Sequence, residues 1–150
     1  MTSSTHAEAL IEAIVMSYHR LTLAAEQLHE RSGLTTGMRS VLVTLDRTGP
    51  LSSSQLAAAR IVSRQFMQKL TSSMVDDGWL ARDANPQDRR VIILKLTAKA
   101  KRAVARVRRV ERPLLEQLEK RLGRAELVRA VDILDQLCGL VSDAKIGASD

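Results

Sequence analysis

Ser63-Arg-Gln-Phe-Met-Gln-Lys-Leu-Thr-Ser-Ser-Met-Val-Asp-Asp-Gly78 is the stretch on which the fold turns. Ser63 suits a helix N-cap, because its hydroxyl can accept from an orphan N–H of the first turn. Gly78 suits the stop, since it tolerates the left-handed conformation that closes a helix. At about 100° per residue, Met67, Leu70 and Met74 fall in one narrow stripe, the side to be buried. Gln65, Gln68, Lys69 and Ser72 lie opposite, with Arg64 on the flank. A merely solvated face would be rich in Glu and Lys. Gln, Ser and Arg instead suit base edges in a major groove, where they donate and accept hydrogen bonds.

Upstream lies a second helix at close range. Ser52 begins it, and Gln55 three residues on completes a capping-box spacing. Leu56-Ala-Ala-Ala-Arg60 is small and close-packing, and Ile61-Val62 leads into the Ser63 helix. Two short helices joined tightly, the second with a polar outer face, make a helix-turn-helix. Before it, Thr35 or Thr36 caps a helix with Met38, Val41, Leu42 and Leu45 as its stripe, closed by the turn Arg47-Thr-Gly-Pro50.

Downstream the periodicity changes. Trp79–Arg82 and Val91–Leu96 read as strands around a polar loop, residues 83–90, with a turn at Asn85-Pro86. A hairpin after a helix-turn-helix is a wing. Its tip carries Arg89 and Arg90, placed to reach phosphates or a minor groove, where arginine suits the negative potential.

Long helices flank this lobe. Residues 7–31 repeat Ile11, Ile14, Val15, Tyr18, Leu21, Ala25 and Leu28 at helical spacing. Thr97 caps another helix, whose stripe runs from Ala100 to Leu122 with an expected kink at Pro113. After Gly123 a last helix, about 124–143, carries Leu127, Val131, Leu134, Cys138 and Val141. These stripes are too long to fold back on the lobe. A second copy of the chain covers them most simply, as a twofold dimer with 2 × 6 = +12 formal charges.

Composition agrees with a polyanionic partner. The chain has 150 residues, 45% hydrophobic and 27% charged, with net charge +6. That length buries roughly 68–70% of the unfolded surface, enough for one core. Tyr18, Phe66 and Trp79 are the only aromatics, so the core is aliphatic. A single cysteine excludes an internal disulfide framework and fits a reducing compartment. No apolar run is long enough for a membrane, and the start lacks the order of a signal peptide, so the expected location is cytoplasmic. His6, His19 and His29 are too scattered for a local metal site. Cys138 sits on an apolar stripe and reads as a buried thiol. No phosphate loop, nucleophile elbow or carboxylate pair appears, so neither enzyme nor cofactor is expected. The basic run of Lys95, Lys99, Lys101, Arg102, Arg106, Arg108, Arg109 and Arg112 is a solvated face or, in its early part, a set of flanking phosphate contacts.

Asn85-Pro-Gln-Asp-Arg-Arg90, the apolar strand to Leu96 and the following Leu96-Thr97 are together similar to the wing signature of the MarR family of bacterial winged helix-turn-helix transcription regulators. Val75-Asp-Asp-Gly-Trp-Leu80 and Leu51-Ser-Ser-Ser-Gln-Leu56 resemble the same family, and the similarity extends over about residues 10–143. The resemblance implies a mainly α fold with a small β-hairpin wing, flanked by N- and C-terminal dimerisation helices in a single domain over 1–150. Helices 7–31 and 98–143 would pair the chains, and a lobe over 35–97 would bind DNA.

By position, the resemblance places Ser63, Arg64, Gln65, Gln68, Lys69 and Ser72 at the DNA. Arg90 is then the wing arginine, beside Arg89, and Asp88 braces the loop. Members often carry an acid, which anchors that arginine, where this chain has Ser72. The implied protein is a homodimeric repressor on a pseudopalindromic operator, released by a small aromatic or anionic effector. Tyr18, His19, Met38 and Arg39 would contribute to the effector crevice. The alternative is a sequence-tolerant architectural DNA binder with no effector.

Overall fold

The computed structural model describes residues 5–29 and 33–146, with side chains to Gln27 and from Gly33 to Ser142. Helices α1 (His6–His29), α2 (Thr36–Thr48), α3 (Ser53–Arg60) and α4 (Arg64–Asp76) lead into a hairpin of β1 (Leu80–Ala84) and β2 (Ile92–Leu96). Helices α5 (Ala98–Leu122) and α6 (Arg124–Ile146) follow. The fold is mainly α with a small hairpin, a winged helix-turn-helix between long helices.

Local sequence chemistry sets the boundaries. Thr35 caps α2 by accepting from the Met38 N–H at 3.2 Å. Ser52 and Gln55 form both arms of a capping box on α3, at 3.2 and 2.8 Å. Ser63 accepts from the Phe66 N–H at 3.1 Å to open α4. Thr97 does the same for the Ala100 N–H, at 3.2 Å, to open α5.

Helix α4 closes through Gly78 at φ +77°, where an added Cβ would meet nothing but would strain the backbone. The Trp79 N–H then reaches the Met74 carbonyl at 2.8 Å, and the Gly78 N–H reaches Val75 at 3.0 Å, the paired bonds of a Schellman closure. Trp79 is therefore held by the helix end, and β1 begins one residue later than its sequence pattern suggests.

The hairpin is antiparallel, with Leu80 opposite Leu96 and Ala84 opposite Ile92. A single bridge joins Leu51 to Leu94, whose N–H reaches the Leu51 carbonyl at 2.8 Å. This ties the segment before α3 to the wing.

The structure divides into two units, to Arg108 and from Arg109. In the first, Val41, Leu42, Leu45, Leu56, Met67, Met74, Trp79, Leu80, Leu94 and the early α5 residues Ala100, Ala103, Val104 and Val107 form one core. Leu70 packs against it from a half-buried position, and Thr71 takes the buried one. The Thr71 hydroxyl is satisfied by the Met67 carbonyl at 2.8 Å, so a polar group can sit there without a desolvation penalty. None of the described side chains of α1 is buried.

In the second unit, no residue from Arg109 to Ser142 is buried. Helix α5 runs on through Pro113, although that residue has no N–H to donate. Cys138, expected to be buried, is exposed in the single chain. Its stripe covers nothing within the second unit, where Leu134 and Val141 are also exposed.

Candidate nucleic-acid interface

Helix α4 turns Met67, Thr71 and Met74 into the core, which leaves Arg64, Gln65, Gln68 and Lys69 exposed. Ser63 is exposed as well, and its hydroxyl is engaged as the cap. Ser72 is half-buried and accepts from the Arg82 guanidinium of β1 at 3.4 Å. It thus also links helix and hairpin.

Charge follows the same plan. No Asp or Glu occurs between Asp46 and Asp76, whereas Arg47, Arg60, Arg64 and Lys69 all fall there. Neither α3 nor α4 carries an acid in its first turn, where one would normally be favoured by the helix dipole. The positive end of α4 therefore has the Ser63 hydroxyl as its cap and no acid in its own first turn.

The wing is built from its own loop. The Asn85 side chain accepts from the Gln87 N–H at 3.0 Å, and the Asn85 N–H reaches the Val91 carbonyl at 2.8 Å. Asp88 accepts from the Arg90 backbone N–H at 3.1 Å, from its Nε at 3.0 Å and from its Nη2 at 3.2 Å. The Arg90 side chain is therefore oriented by Asp88 within its own loop. The Arg90 side chain stays 90% exposed, and Arg89 is exposed beside it. The Arg90 guanidinium hydrogen bond, then its backbone N–H, hold the Asp88 carboxyl below the usual carboxylate range. Asp83, paired with Lys95 on the facing strand, is lowered in the same sense, and by that pair first.

Part of the basic run is spent on internal ties. Lys95 pairs with Asp83, Arg108 with Asp46, and Arg112 with Glu116. The Lys99 ammonium sits 4.1 Å from the centre of the Trp79 ring and donates to the Asp77 carbonyl at 2.9 Å. The Thr97 hydroxyl lies 2.8 Å from the Gly78 carbonyl. The start of α5 is thereby clamped to the end of α4. Arg112 and Glu116 lie one helical turn apart, but the other ties, and that of Arg82, join residues distant in the chain and leave no sign in sequence spacing.

Of the four residues expected around an effector, Tyr18 and His19 lie on α1, and Met38 and Arg39 on α2. Tyr18 and His19 stack edge to face on α1 with ring centres 5.8 Å apart, and the Tyr18 side is open to solvent. Met38 is half-buried against the core. Only Arg39 lines the shallow cleft between α1 and α2, together with Ala25, Glu26, Leu34, Thr35 and Thr36. Among the described residues no group of three or more His, Cys, Asp or Glu is disposed to hold a metal. No described helix is long and apolar enough to cross a membrane.

Known proteins share this arrangement. A protein of Thauera aromatica, named as a candidate transcriptional regulatory protein for its hcr operon, is 28% identical over 113 residues, which cover 75% of this chain and 68% of that protein. The crystal structure of a MarR family transcription regulator superposes with a TM-score of 0.76 at 23% identity, covering 91% of each chain. A cysteine-to-serine mutant of MarR from E. coli, complexed with operator DNA, superposes at 0.72 with 19% identity, covering 86% of this chain and 93% of that one. The sequence profile of the MarR family matches residues 34–92, from the entry into α2 to the start of β2. Over residues 34–92 the winged helix-turn-helix of this chain is similar in sequence to the MarR family, and it has the fold of the MarR regulators of known structure.

Proposed function

We propose that the protein is a sequence-specific DNA-binding transcription regulator that acts as a homodimer on a pseudopalindromic operator and is released by a small effector. The observation that carries the reading is the leading half of α4. It is an exposed Gln- and Arg-bearing face, free of acids, with an unopposed helix N-terminus beside a wing that holds an arginine out into solvent.

In this reading α4 enters the major groove, where Gln65 and Gln68 pair with base edges and Arg64 and Lys69 contact phosphates. Arg90, and Arg89 beside it, reach the flanking minor groove or its phosphates. Helices α1, α5 and α6 join two copies, which sets two recognition helices about 34–36 Å apart for half-sites one turn apart. The chain thus works as one functional unit over 1–150, with a reading lobe over about 35–97. The MarR mutant from E. coli complexed with operator DNA supports the placement of α4 by analogy of fold.

Selection from a random DNA pool by the full-length protein tests the reading. A recovered pseudopalindrome should bind at least about a thousandfold better than random duplex. Equal affinity for both would favour the architectural alternative. For the effector, the family resemblance points to a small aromatic or anionic molecule, and Arg39 is the one permanent cation among the four residues expected around it, so an aromatic carboxylate such as salicylate should loosen operator binding at millimolar concentration. Such a ligand acts only through its differential affinity for the two states. Arg39→Ala should blunt the response, and an operator affinity unmoved by a panel of such anions counts against the switch.

A further inference from the structure

The reading face has an apolar part that hydrogen bonding leaves unexplained. Ile61, Val62 and Phe66 all fall within the six residues 61–66, at the leading end of α4, and they are 88%, 37% and 54% exposed. Phe66 is the only phenylalanine of the chain, yet the core leaves it outside. Ile61 is the only described non-glycine residue with positive φ, at φ 53° and ψ 47°. A β-branched residue is strained there, and glycine would close α3 without strain. The Ile61 conformation closes α3, its N–H reaching the Ala57 and Ala58 carbonyls, but chain folding does not account for the exposure, so these side chains point to something that covers them from outside.

The surroundings select the occupant. The nearest charged residues in sequence are Arg60, Arg64 and Lys69, all cationic, and the α4 N-terminus adds positive potential. A patch that is apolar at its centre and cationic at its edge fits a surface of the same plan with the opposite charge. The major groove of DNA provides one, because thymine 5-methyl groups form apolar spots between rows of phosphates.

We infer that Phe66, supported by Ile61 and Val62, reads thymine 5-methyl groups in the major groove, so that the operator is specified partly by methyl contact as well as by hydrogen bonds. The inference rests on the DNA-binding reading and deepens it. Phe66 becomes a specificity-determining residue, and thymine at defined positions becomes part of the recognised site.

The test uses the full-length protein and the duplex that it selects from a random pool. Each thymine is replaced in turn by deoxyuridine, which lacks only the 5-methyl group. At one or two thymines per half-site the wild-type protein should lose about fourfold in affinity, the value of one buried methyl. Phe66→Ala should bind the thymine duplex about as weakly as the wild type binds the deoxyuridine duplex, with no further loss on replacement. Phe66→Leu should keep most of the discrimination. If wild-type affinity is the same for thymine and deoxyuridine at every position, while Gln65→Ala still relaxes sequence preference, methyl reading is overturned and helix reading stands. If the pool yields no preferred sequence, both fall together. A Phe66→Ala protein that changes its state of association but keeps the thymine discrimination would assign the patch to a protein contact and overturn the inference. Should Phe66→Ala fail to fold, the deoxyuridine series on the wild type and Phe66→Leu decides.

Discussion

The winged lobe and the terminal helices use similar apolar stripes to opposite effect. Every buried residue among the described ones lies between Leu34 and Val107, and none lies in α1 or from Arg109 to Ser142. In the lobe, side chains from α2, α3, α4, the hairpin and the start of α5 meet around Leu42, Leu56 and Met67. Beyond Arg109, Leu114, Leu118, Val131 and Leu134 recur at the same helical spacing and stay exposed. Periodicity announces that a face will be covered, but not by what. The lobe satisfies its own stripes, and the terminal helices leave theirs exposed in the single chain.

The largest expected effects separate these two kinds of apolar residue. Leu56 is fully buried, so Leu56→Ala should cost about 2–5 kcal/mol of lobe stability, read by urea denaturation. Leu134→Ala should act differently, weakening association with an effect that fades as the protein is diluted. A Leu134→Ala penalty that is the same at every protein concentration would place that side chain in a core of its own chain and break the contrast.

Within the lobe, helix and wing should divide the work. Gln65→Ala or Gln68→Ala should each cost about 1–3 kcal/mol on the selected site and little on random DNA. Arg90→Ala should weaken binding to all sequences alike and lower the slope of log affinity against log salt by about 0.9, one phosphate contact. Titrations of both duplexes at several salt concentrations check this. Equal losses on both duplexes for all three variants would remove the division.

A smaller effect concerns the brace of the wing. Asp88 is held below the usual carboxylate range by Arg90, so its contribution is fully present above the ordinary aspartate value, about 3.9, and is lost as the pH falls through the lowered value. The Asp88–Arg90 contact should therefore persist unchanged from pH 8 to pH 5, monitored by the NMR signal of the Arg90 Nε–H. Loss of that signal's protection near pH 6 would show that another group holds the wing.

Much of the lobe is legible in the sequence because its boundaries are written in local chemistry. Ser52 with Gln55, Ser63, Gly78 and Thr97 each act within a few residues of their own position, where sequence spacing is a faithful guide. The Leu51–Leu94 bridge is not legible, since one pair of residues leaves no period. Thr71 in the core is hidden by its polarity, which a backbone carbonyl one turn earlier satisfies. The start of β1 differs from its sequence pattern because the Schellman closure claims Trp79 before the strand can. The Arg82–Ser72 and Lys99–Trp79 contacts depend on the tertiary fold and have no local signature. Cys138 departs from its expected burial for the reason that separates the two regions: its stripe has no cover within its own unit.

Sedimentation equilibrium of the full-length protein, with and without the selected duplex, tests the central claim most directly. A lobe closed on its own core, flanked by α1 and by a stretch from Arg109 whose described side chains are not buried, should appear as a particle of twice the chain mass. It should bind one duplex with two chains. A protein that sediments at the mass of one chain across micromolar concentrations, and that binds the duplex one chain at a time, would contradict the account.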